Sequence, residues 1–575
     1  MSAEQVKLES RYRASTIAEE LAGDADDFSH DAELVLKFHG IYQQDDRDVR
    51  RARTQLKLPL DYSCMVRASV PGGVITAPQW LALDRLSKLA DDKLRLTTRQ
   101  GVQYHVVHKG ELHELVNGIN SCLLTTIAAC GDVVRNVMAC PLPHPERRAV
   151  QDPLVEQIVR RFRPRTPSYW ELWVDGERAV TAEPPPALDP IDDVEPIYGN
   201  VYLPRKFKIA VGWPGDNCVD IYTNDVGVVP TLSEGLTGDV TGYVVLAGGG
   251  MGMSHSRPDD TYPLLAQPVG WVPPEDVVDV IEAIITTQRD YGNREDRSRA
   301  RLKYLVEERG IEWLREQVVA RTGRPLEPAP DLPAWEVRTH HGWHEFDGTS
   351  ALGLPVQSGK VQGGLRVALR RLIADGTVTE LRVTPRQDLL LLGVSDRVAV
   401  ENTLRANGVA LASDQSPVKN FAMACPALPT CSKALGEAER VLPDVVDELE
   451  KVLADTGNEG LAIRINMSGC PNGCTRPYNA ELSIVGRTKK NYDVFVGGSP
   501  AGDRLARRLR DDVPLTDVPA LLAPLLARYG DSGQHVAFGD WVVEQGWDEL
   551  QALLPAPTGR AARRLALATA TEDAG

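Results

Sequence analysis

Apolar positions recur at helical spacing along Trp80, Leu81, Leu83, Leu86 and Leu89, just after a Pro71-Gly72-Gly73 turn. They give way to Leu94-Arg95-Leu96-Thr97-Thr98-Arg99-Gln100, which alternates as a strand does. The same order returns far downstream. Gln362-Gly363-Gly364 precedes Leu365, Val367, Leu369, Leu372 and Ile373, and then Leu381-Arg382-Val383-Thr384-Pro385-Arg386-Gln387 follows. Four of six residues agree between Arg95–Gln100 and Arg382–Gln387. A word repeated within the same succession of turn, helix and strand predicts a duplicated α+β unit.

Between the copies, residues 141–330 read as a separate mixed α/β region, helix-rich over 274–321. Pro184-Pro185-Pro186 marks a surface loop. Gly248-Gly249-Gly250-Met251-Gly252-Met253 lacks the strand order and following helix of a dinucleotide loop, so it predicts close backbone approach to a cofactor or another strand. After the second copy, Ser432 is positioned to cap a helix carrying Ala434, Leu435, Ala438 and Leu442. Pro443 is expected to interrupt that helix before Val446, Leu449, Val452 and Leu453 continue its apolar face. Strands are expected at 461–467, 481–485 and 492–496.

A chain of 575 residues is too long for one core. Its 42% hydrophobic and 25% charged content is that of a globular protein. The N-terminus has no apolar segment of the secretory kind, and no apolar run reaches bilayer length, so a cytoplasmic enzyme with no membrane association is expected. The net charge of −16 argues against nucleic-acid binding. Any anion site must therefore concentrate its cations locally. Nine cysteines, five of them scattered (Cys64, Cys122, Cys130, Cys140 and Cys218), do not form a secreted disulfide pattern.

The remaining four are Cys425-Pro-Ala-Leu-Pro-Thr-Cys431 and Cys470-Pro-Asn-Gly-Cys474. Four thiolates are the complement of a 4Fe–4S cluster. Their spacing differs from that of zinc ribbons and of bacterial ferredoxins. Four buried, inert cysteines are the plain alternative. With Pro-Asn-Gly inside the second pair, the pattern resembles the sirohaem and 4Fe–4S sulfite and nitrite reductases. So does Lys37-Phe38-His39-Gly40-Ile41-Tyr42-Gln43-Gln44-Asp45-Asp46-Arg47-Asp48, a word nearer the sulfite-reducing branch, although charge alone would read residues 1–55 as a solvated arm.

The resemblance implies that Cys425, Cys431, Cys470 and Cys474 hold the cluster and that Cys474 also links it to sirohaem. By order and approximate separation it implies that Arg67, Arg135, Lys206 and Lys208 contact the substrate anion. It likewise implies that Arg95, Arg99, Gln103, His105 and Arg205 contact sirohaem or organise its pocket. Each cation alone is as well read as a surface residue, and His105 as a structural histidine. Lys303 is a weaker candidate for a carboxylate contact. Arg382 and Arg386 repeat Arg95 and Arg99, but with only one four-cysteine set the second copy is vestigial or contributes a few groups to the same sirohaem.

The expected fold class is α+β and multi-domain: two ferredoxin-like α/β halves related by a pseudo-twofold axis, plus cofactor-binding α/β domains. The expected divisions are an N-terminal arm (1–55), the first half (56–140), a central sirohaem-binding domain (141–330), the second half (331–418), a cluster and sirohaem domain (419–555) and a mobile tail (556–575). The expected activity is six-electron reduction of sulfite to sulfide in assimilatory sulfur metabolism. The alternative substrate is nitrite, reduced to ammonia. The nitrite branch typically carries Asn at the position of Lys208, which favours sulfite. A sirohaem-free electron carrier and a buried-metal module are alternatives of other classes, and neither accounts for the ordered cations. No flavin or nicotinamide fingerprint is present, so electrons are expected from a separate NADPH-dependent flavoprotein or a ferredoxin. The sequence leaves open the donor, the oligomeric state and the strength of preference for sulfite over nitrite.

Overall fold

Two five-stranded antiparallel sheets carry the duplicated pattern, and each takes its last strand from the other copy. The first runs, in spatial order, Ile41–Asp45, Tyr62–Ala68, Val102–Val107, Leu94–Leu96 and Lys360–Val361. The second runs Gly342–Phe346, Thr349–Leu354, Leu389–Val394, Glu380–Val383 and Val74–Thr76. In each copy the short strand ahead of the helix thus crosses to the opposite sheet, Lys360 pairing with Arg95 and Val74 with Arg382. The computed structural model describes residues 2–10, 15–165, 172–174, 177–179, 195–346, 348–533 and 536–556. The triple-proline segment and residues 557–575 of the expected tail lie outside them.

The helix Ala77–Leu86 follows its short strand and is fixed by a capping box between Thr76 and Gln79. In the second copy Gly363-Gly364 opens the helix Gly363–Ala374 instead of forming a turn, and the turn equivalent to Pro71-Gly72-Gly73 is Gln357-Ser358-Gly359. Trp80, Leu83, Leu369 and Leu372 belong to a single apolar core shared by both copies. Asp84 joins the two helices by accepting from Arg366 Nε at 2.7 Å.

Residues 1–55 depart from the expected solvated arm. Ile41–Asp45 pairs with Tyr62–Val66 as the edge of the first sheet. Lys7 is buried, its ammonium donating to Leu203 O (2.9 Å) and pairing with Asp132 (3.1 Å). Its charge is tolerated there because a carboxylate and a carbonyl replace its water.

The central sheet runs Gln267–Val272, Val240–Ala247, Val226–Leu232, Ile209–Val211 and Met138–Ala139. It therefore begins just before the expected boundary at 141. The helices Pro145–Phe162, Val277–Tyr291 and Ile311–Thr322 contribute to its core. At the glycine run, a side chain on Gly249 would meet Tyr222 O at 2.2 Å and Asn224 O at 2.4 Å, so here the close approach is backbone to backbone.

All of this belongs to one compact unit, Met1–Gly250 with Ala266–Leu411; a second comprises Met251–Leu265 and Ala412–Gly575. The second unit takes in an excursion of the chain that the sequence does not announce. Met253 N–H donates to Pro471 O (2.9 Å), while Met251 packs with Tyr478 and Val485.

The sheet of the second unit has three parallel strands, Ala422–Ala424, Ile465–Ser468 and Leu482–Gly486, followed by the antiparallel Asn491–Val496 and Arg507–Pro514. The helix Leu442–Asp455 connects the first two strands. Pro443 starts this helix rather than interrupting one, because a proline in the first turn has no intrahelical hydrogen bond to lose. Among the described residues no helix is long and apolar enough to cross a membrane.

Candidate active site and cofactor ligands

Parallel pairing brings the cysteine pairs together. Ala424 lies opposite Met467 in neighbouring strands, so Cys425 and Cys470 stand in loops leaving the same end of the sheet. The loops are then stitched: Cys425 N–H donates to Met467 O (3.2 Å), and Leu435 and Gly436 N–H both donate to Gly469 O (2.9 Å). Gly469 has to be glycine, since a side chain there would strike Ala427 Cβ at 2.5 Å.

None of the nine cysteines is disulfide-bonded. Cys425 and Cys470 are buried, Cys431 is partly buried and Cys474 is exposed. Burial, and then one another's charge, push the thiols of Cys425, Cys431 and Cys470 upward, Cys470 to about 12. Such a set wants positive charge at its centre. Gly469 N–H (3.3 Å) and Asn472 Nδ2 (3.4 Å) donate to the sulfurs of Cys425 and Cys470. Among the described residues, the only His, Cys, Asp or Glu set that closes within 4.8 Å is elsewhere, at Cys140, Asp216, Cys218 and His340. The four paired cysteines therefore stand wider apart than ligands of one ion. A wider set of four thiolates suits a polynuclear cluster.

In the first unit, strand register aligns Arg67, Gln103 and Arg95 of the predicted anion ligands. Arg67 lies opposite Gln103, Gln103 opposite Arg95, and Arg95 opposite Lys360, forming a row across four strands. With its amide oxygen turned toward Arg67, Gln103 accepts from Nη2 at 2.5 Å and from Nε at 2.8 Å. His105 follows two residues on, on the same face of its strand. Its Nδ1 meets Gln44 Oε1 at 3.3 Å, and its buried Nε2 has no partner among the described residues. Burial, and then Arg95 and Arg67, hold this imidazole well below its ordinary pKa, so it is neutral. The two guanidinium groups fit an anionic ligand, and the unpartnered ring nitrogen fits a hydrogen-bonding one, as a donor in the tautomer that carries its proton on Nε2.

Arg67 Nη1 also donates to Cys130 Sγ (2.9 Å), and Tyr42 hydrogen-bonds to both Cys130 and Arg135. Tyr42 and Cys130 were not selected from the sequence. The tyrosine sits inside a word valued only as a family mark, and the cysteine stands alone. Arg135 donates to Gly131 O from Nε and Nη2.

Lys206 keeps some solvent-accessible surface, yet protein surrounds its ammonium, and burial pushes it well below the lysine range. Arg135, Arg205, Lys208 and Arg301 push it further. The nearby carboxylates already have partners. Asp132 accepts from Arg297 at 2.8 and 3.1 Å and has Lys7 and Arg205 beside it. Asp225 accepts from Arg301 at 3.1 and 2.8 Å and from the backbone N–H of Lys208. The excess of positive charge is therefore local, inside a chain whose net charge is negative.

Arg99 has a different part. Its guanidinium donates to Asn224 Oδ1 (2.9 Å), Asn136 O (2.7 Å) and Ile209 O (3.1 Å), tying the first sheet to the central one. Lys303 donates to Gly250 O at 3.1 Å, and burial brings it down to about 6. The second copy lacks the cationic row. Arg382 is 1% exposed and paired with Asp152 (2.7 Å) and Glu380 (3.1 Å).

Comparison with known proteins bears on this geometry. Residues 60–122 match the family model described as the nitrite/sulfite reductase ferredoxin-like half domain, and residues 130–326 match the nitrite and sulphite reductase 4Fe-4S domain. The latter segment does not contain the two cysteine pairs. The sulfite reductase [ferredoxin] of Synechococcus elongatus is 40% identical over 571 residues, covering 95% of this chain and 90% of the relative. The sulfite reductase [NADPH] hemoprotein beta-component of a Paenibacillus species is 39% identical, covering 95% of each chain. Its counterpart in Chromohalobacter salexigens is 41% identical, covering 94% of this chain and 95% of the relative. The solved structure of the Mycobacterium tuberculosis NirA protein superposes with a TM-score of 0.76 at 26% identity over 95% of each chain. With its duplicated halves and near-complete alignment to such relatives, the chain belongs to the nitrite and sulfite reductase family.

Proposed function

We propose that the protein is a sulfite reductase that uses sirohaem and a 4Fe–4S cluster and takes its electrons from a separate donor protein. The reaction consumes six electrons and six protons for each sulfite and yields sulfide and three waters. The observation that carries the reading is the crowd of cations around Lys206, whose local charge the neighbouring carboxylates do not balance. The relatives named as sulfite reductases support the choice of substrate.

When bound, the sirohaem iron and the cluster supply the redox chemistry, and the protein supplies binding, orientation and charge. Cys425, Cys431, Cys470 and Cys474 would hold the cluster, with the exposed Cys474 the ligand that would face sirohaem. Arg95, Gln103, His105 and Arg205 receive the sirohaem carboxylates, while Arg99 fixes the wall on which they stand. Arg67, Arg135, Lys206 and Lys208 hold the oxygens of sulfite by charge-assisted hydrogen bonds. Because burial, and then its cationic neighbours, loosen the proton on Lys206 Nζ, this ammonium is a stronger acid than a free lysine and would protonate oxygen as each S–O bond breaks.

The test uses the purified holoprotein. Its spectrum should show the Soret and long-wavelength bands of sirohaem, which a bare cluster lacks. With a chemical reductant it should turn over sulfite with a higher kcat/KM than nitrite. A protein without sirohaem bands, or one that prefers nitrite, would overturn the reading. The same preparation supplied with ferredoxin, or with a flavoprotein and NADPH, identifies the donor.

A further inference from the structure

Four residues that the sequence leaves scattered meet in the interior of the first unit, and the chemistry above uses none of them. Cys140 follows the strand Met138–Ala139, Asp216 and Cys218 lie in the turn after Ile209–Val211, and His340 precedes Gly342–Phe346. All four are buried, and one donor atom from each lies within 4.8 Å of the others. His340 Nε2 is 3.2 Å from Asp216 Oδ2, Cys140 Sγ is 3.3 Å from the same oxygen, and Cys140 Sγ is 3.9 Å from His340 Nε2. Bonds of about 2.0–2.3 Å to a tetrahedral zinc would separate its ligands by about 3.3–3.8 Å, close to the 3.2, 3.3 and 3.9 Å among Cys140, Asp216 and His340.

The backbone holds the donors in place. Cys218 N–H donates to Asp216 Oδ1 (3.2 Å), and Asn217 N–H donates to Glu336 O (2.8 Å), drawing the segment that carries His340 onto the turn. His340 itself has φ +60°, a left-handed conformation uncommon outside glycine. Around the donors, Arg147 Nη1 reaches Asp216 Oδ2 at 2.7 Å and Cys140 Sγ at 3.1 Å, and its guanidinium lies over the Trp213 ring.

We propose that Cys140, Asp216, Cys218 and His340 form a closed, structural zinc site that fastens the central sheet to the second half of the duplicated unit. Two thiolates, an imidazole and a carboxylate make a donor set that zinc accepts without an open position. With a divalent ion this set carries one net negative charge, and Arg147 is the cation placed against it. The proposal stands independently of the sirohaem chemistry.

The test is metal analysis and zinc K-edge X-ray absorption on the holoprotein after dialysis against metal-free buffer, with iron and labile sulfide measured alongside. The expected result is about one zinc per chain, with two sulfurs near 2.3 Å and two nitrogen or oxygen ligands near 2.0–2.1 Å. In Cys218→Ser and His340→Ala zinc should be lost, while iron and the sirohaem bands remain. Substoichiometric zinc in the parent protein would overturn the proposal and leave a hydrogen-bonded cluster. A shell of four sulfurs would overturn it by placing the zinc on the paired cysteines, and a Cys140–Cys218 disulfide on peptide mapping would do so as well. If the variants do not fold, the absorption spectrum of the parent decides alone.

Discussion

Gln100 and Gln387 make the same bond in opposite directions. Gln100 Nε2 donates to Val383 O at 2.9 Å, and Gln387 Nε2 donates to Leu96 O at 3.3 Å, each reaching the strand of the other copy. Both residues have left-handed backbones (φ +56° and +71°). Beside them, a side chain on Gly73 would meet Val383 O, and one on Gly359 would meet Leu96 O, each at 2.3 Å. The repeated Arg-Gln signal and the glycines that end Pro71-Gly72-Gly73 and Gln357-Ser358-Gly359 thus form one reciprocal clasp.

The clasp is unequal. Gln100 also donates to Ala139 O (2.9 Å) and Gly72 O (3.2 Å) and accepts from Ala139 N–H (2.9 Å), whereas Gln387 adds only Ser358 O (3.3 Å). Gln100→Ala should therefore lower the melting temperature more than Gln387→Ala. Each buried carbonyl left without its donor costs about 1–3 kcal/mol. Thermal unfolding of both variants, followed by circular dichroism, checks the order.

Arg95 and Arg382 occupy equivalent places in the two copies but have different partners. Arg382→Ala should destabilise the fold, because it removes a buried side chain and leaves Asp152 and Glu380 with Arg148 as their remaining arginine partner, and should leave the sirohaem content unchanged. Arg95→Ala should do the reverse, losing sirohaem with little change in the unfolding of the apoprotein. Absorbance per chain and melting curves, measured on both variants, separate the two roles.

Cys474→Ser should lose both sirohaem absorption and labile sulfide. Cys425→Ser, Cys431→Ser and Cys470→Ser should chiefly lose the cluster. Cys122→Ser, whose thiol donates to Ile119 O at a helix end, should keep both. Full cofactor content and activity in Cys474→Ser would remove this residue from the site.

Lys208→Asn should lower kcat/KM for sulfite more than for nitrite. Removing one cation from a partly desolvated site penalises the more highly charged anion most. A charge-assisted hydrogen bond contributes about 1.5–3 kcal/mol, which corresponds to tenfold or more. The ratio of the two kcat/KM values, measured with one artificial donor, decides. An unchanged ratio would mean that Lys208 does not discriminate.

Lys303 ties stability to pH. Burial lowers it from 10.5 to about 6, so between those values the unfolded chain binds a proton that the folded chain does not. Stability from this group therefore rises with pH across that window and is lost toward pH 6. The parent should gain in melting temperature relative to Lys303→Met as pH is raised from 7 to about 9. A constant difference would show that an anion beside the ammonium keeps it charged.

Local chemistry made part of this architecture legible. The first glycine turn, the alternating strands and the paired cysteines are short-range signals that mark real elements, whereas Gly363-Gly364 opens a helix and is not a turn. The exchanged edge strands left no such trace, since Lys360–Val361 and Val74–Thr76 are too short to show a period. Pro443 was misread because the same residue that breaks a helix interior starts a helix at its first turn. Lys7, which looks solvated in a charged segment, is buried against Asp132 from far along the chain. Cys140, Cys218 and His340 were unreadable as a group for the same reason. Their spacing has no motif, and only the meeting of three separate segments makes them neighbours.

The parallel pairing of Ala422–Ala424 with Ile465–Ser468 sets an order on biosynthesis. A hairpin could have gathered its ligands within a few residues of synthesis. Here the chain must complete the crossover helix and return before Cys470 and Cys474 face Cys425 and Cys431. A nascent chain halted on the ribosome before Ile465 offers two thiols and no second strand to hold the others against them. With those four cysteines as ligands, iron and sulfide would have no complete home until most of the polypeptide has been made, which would put cluster loading at the end of translation or after it.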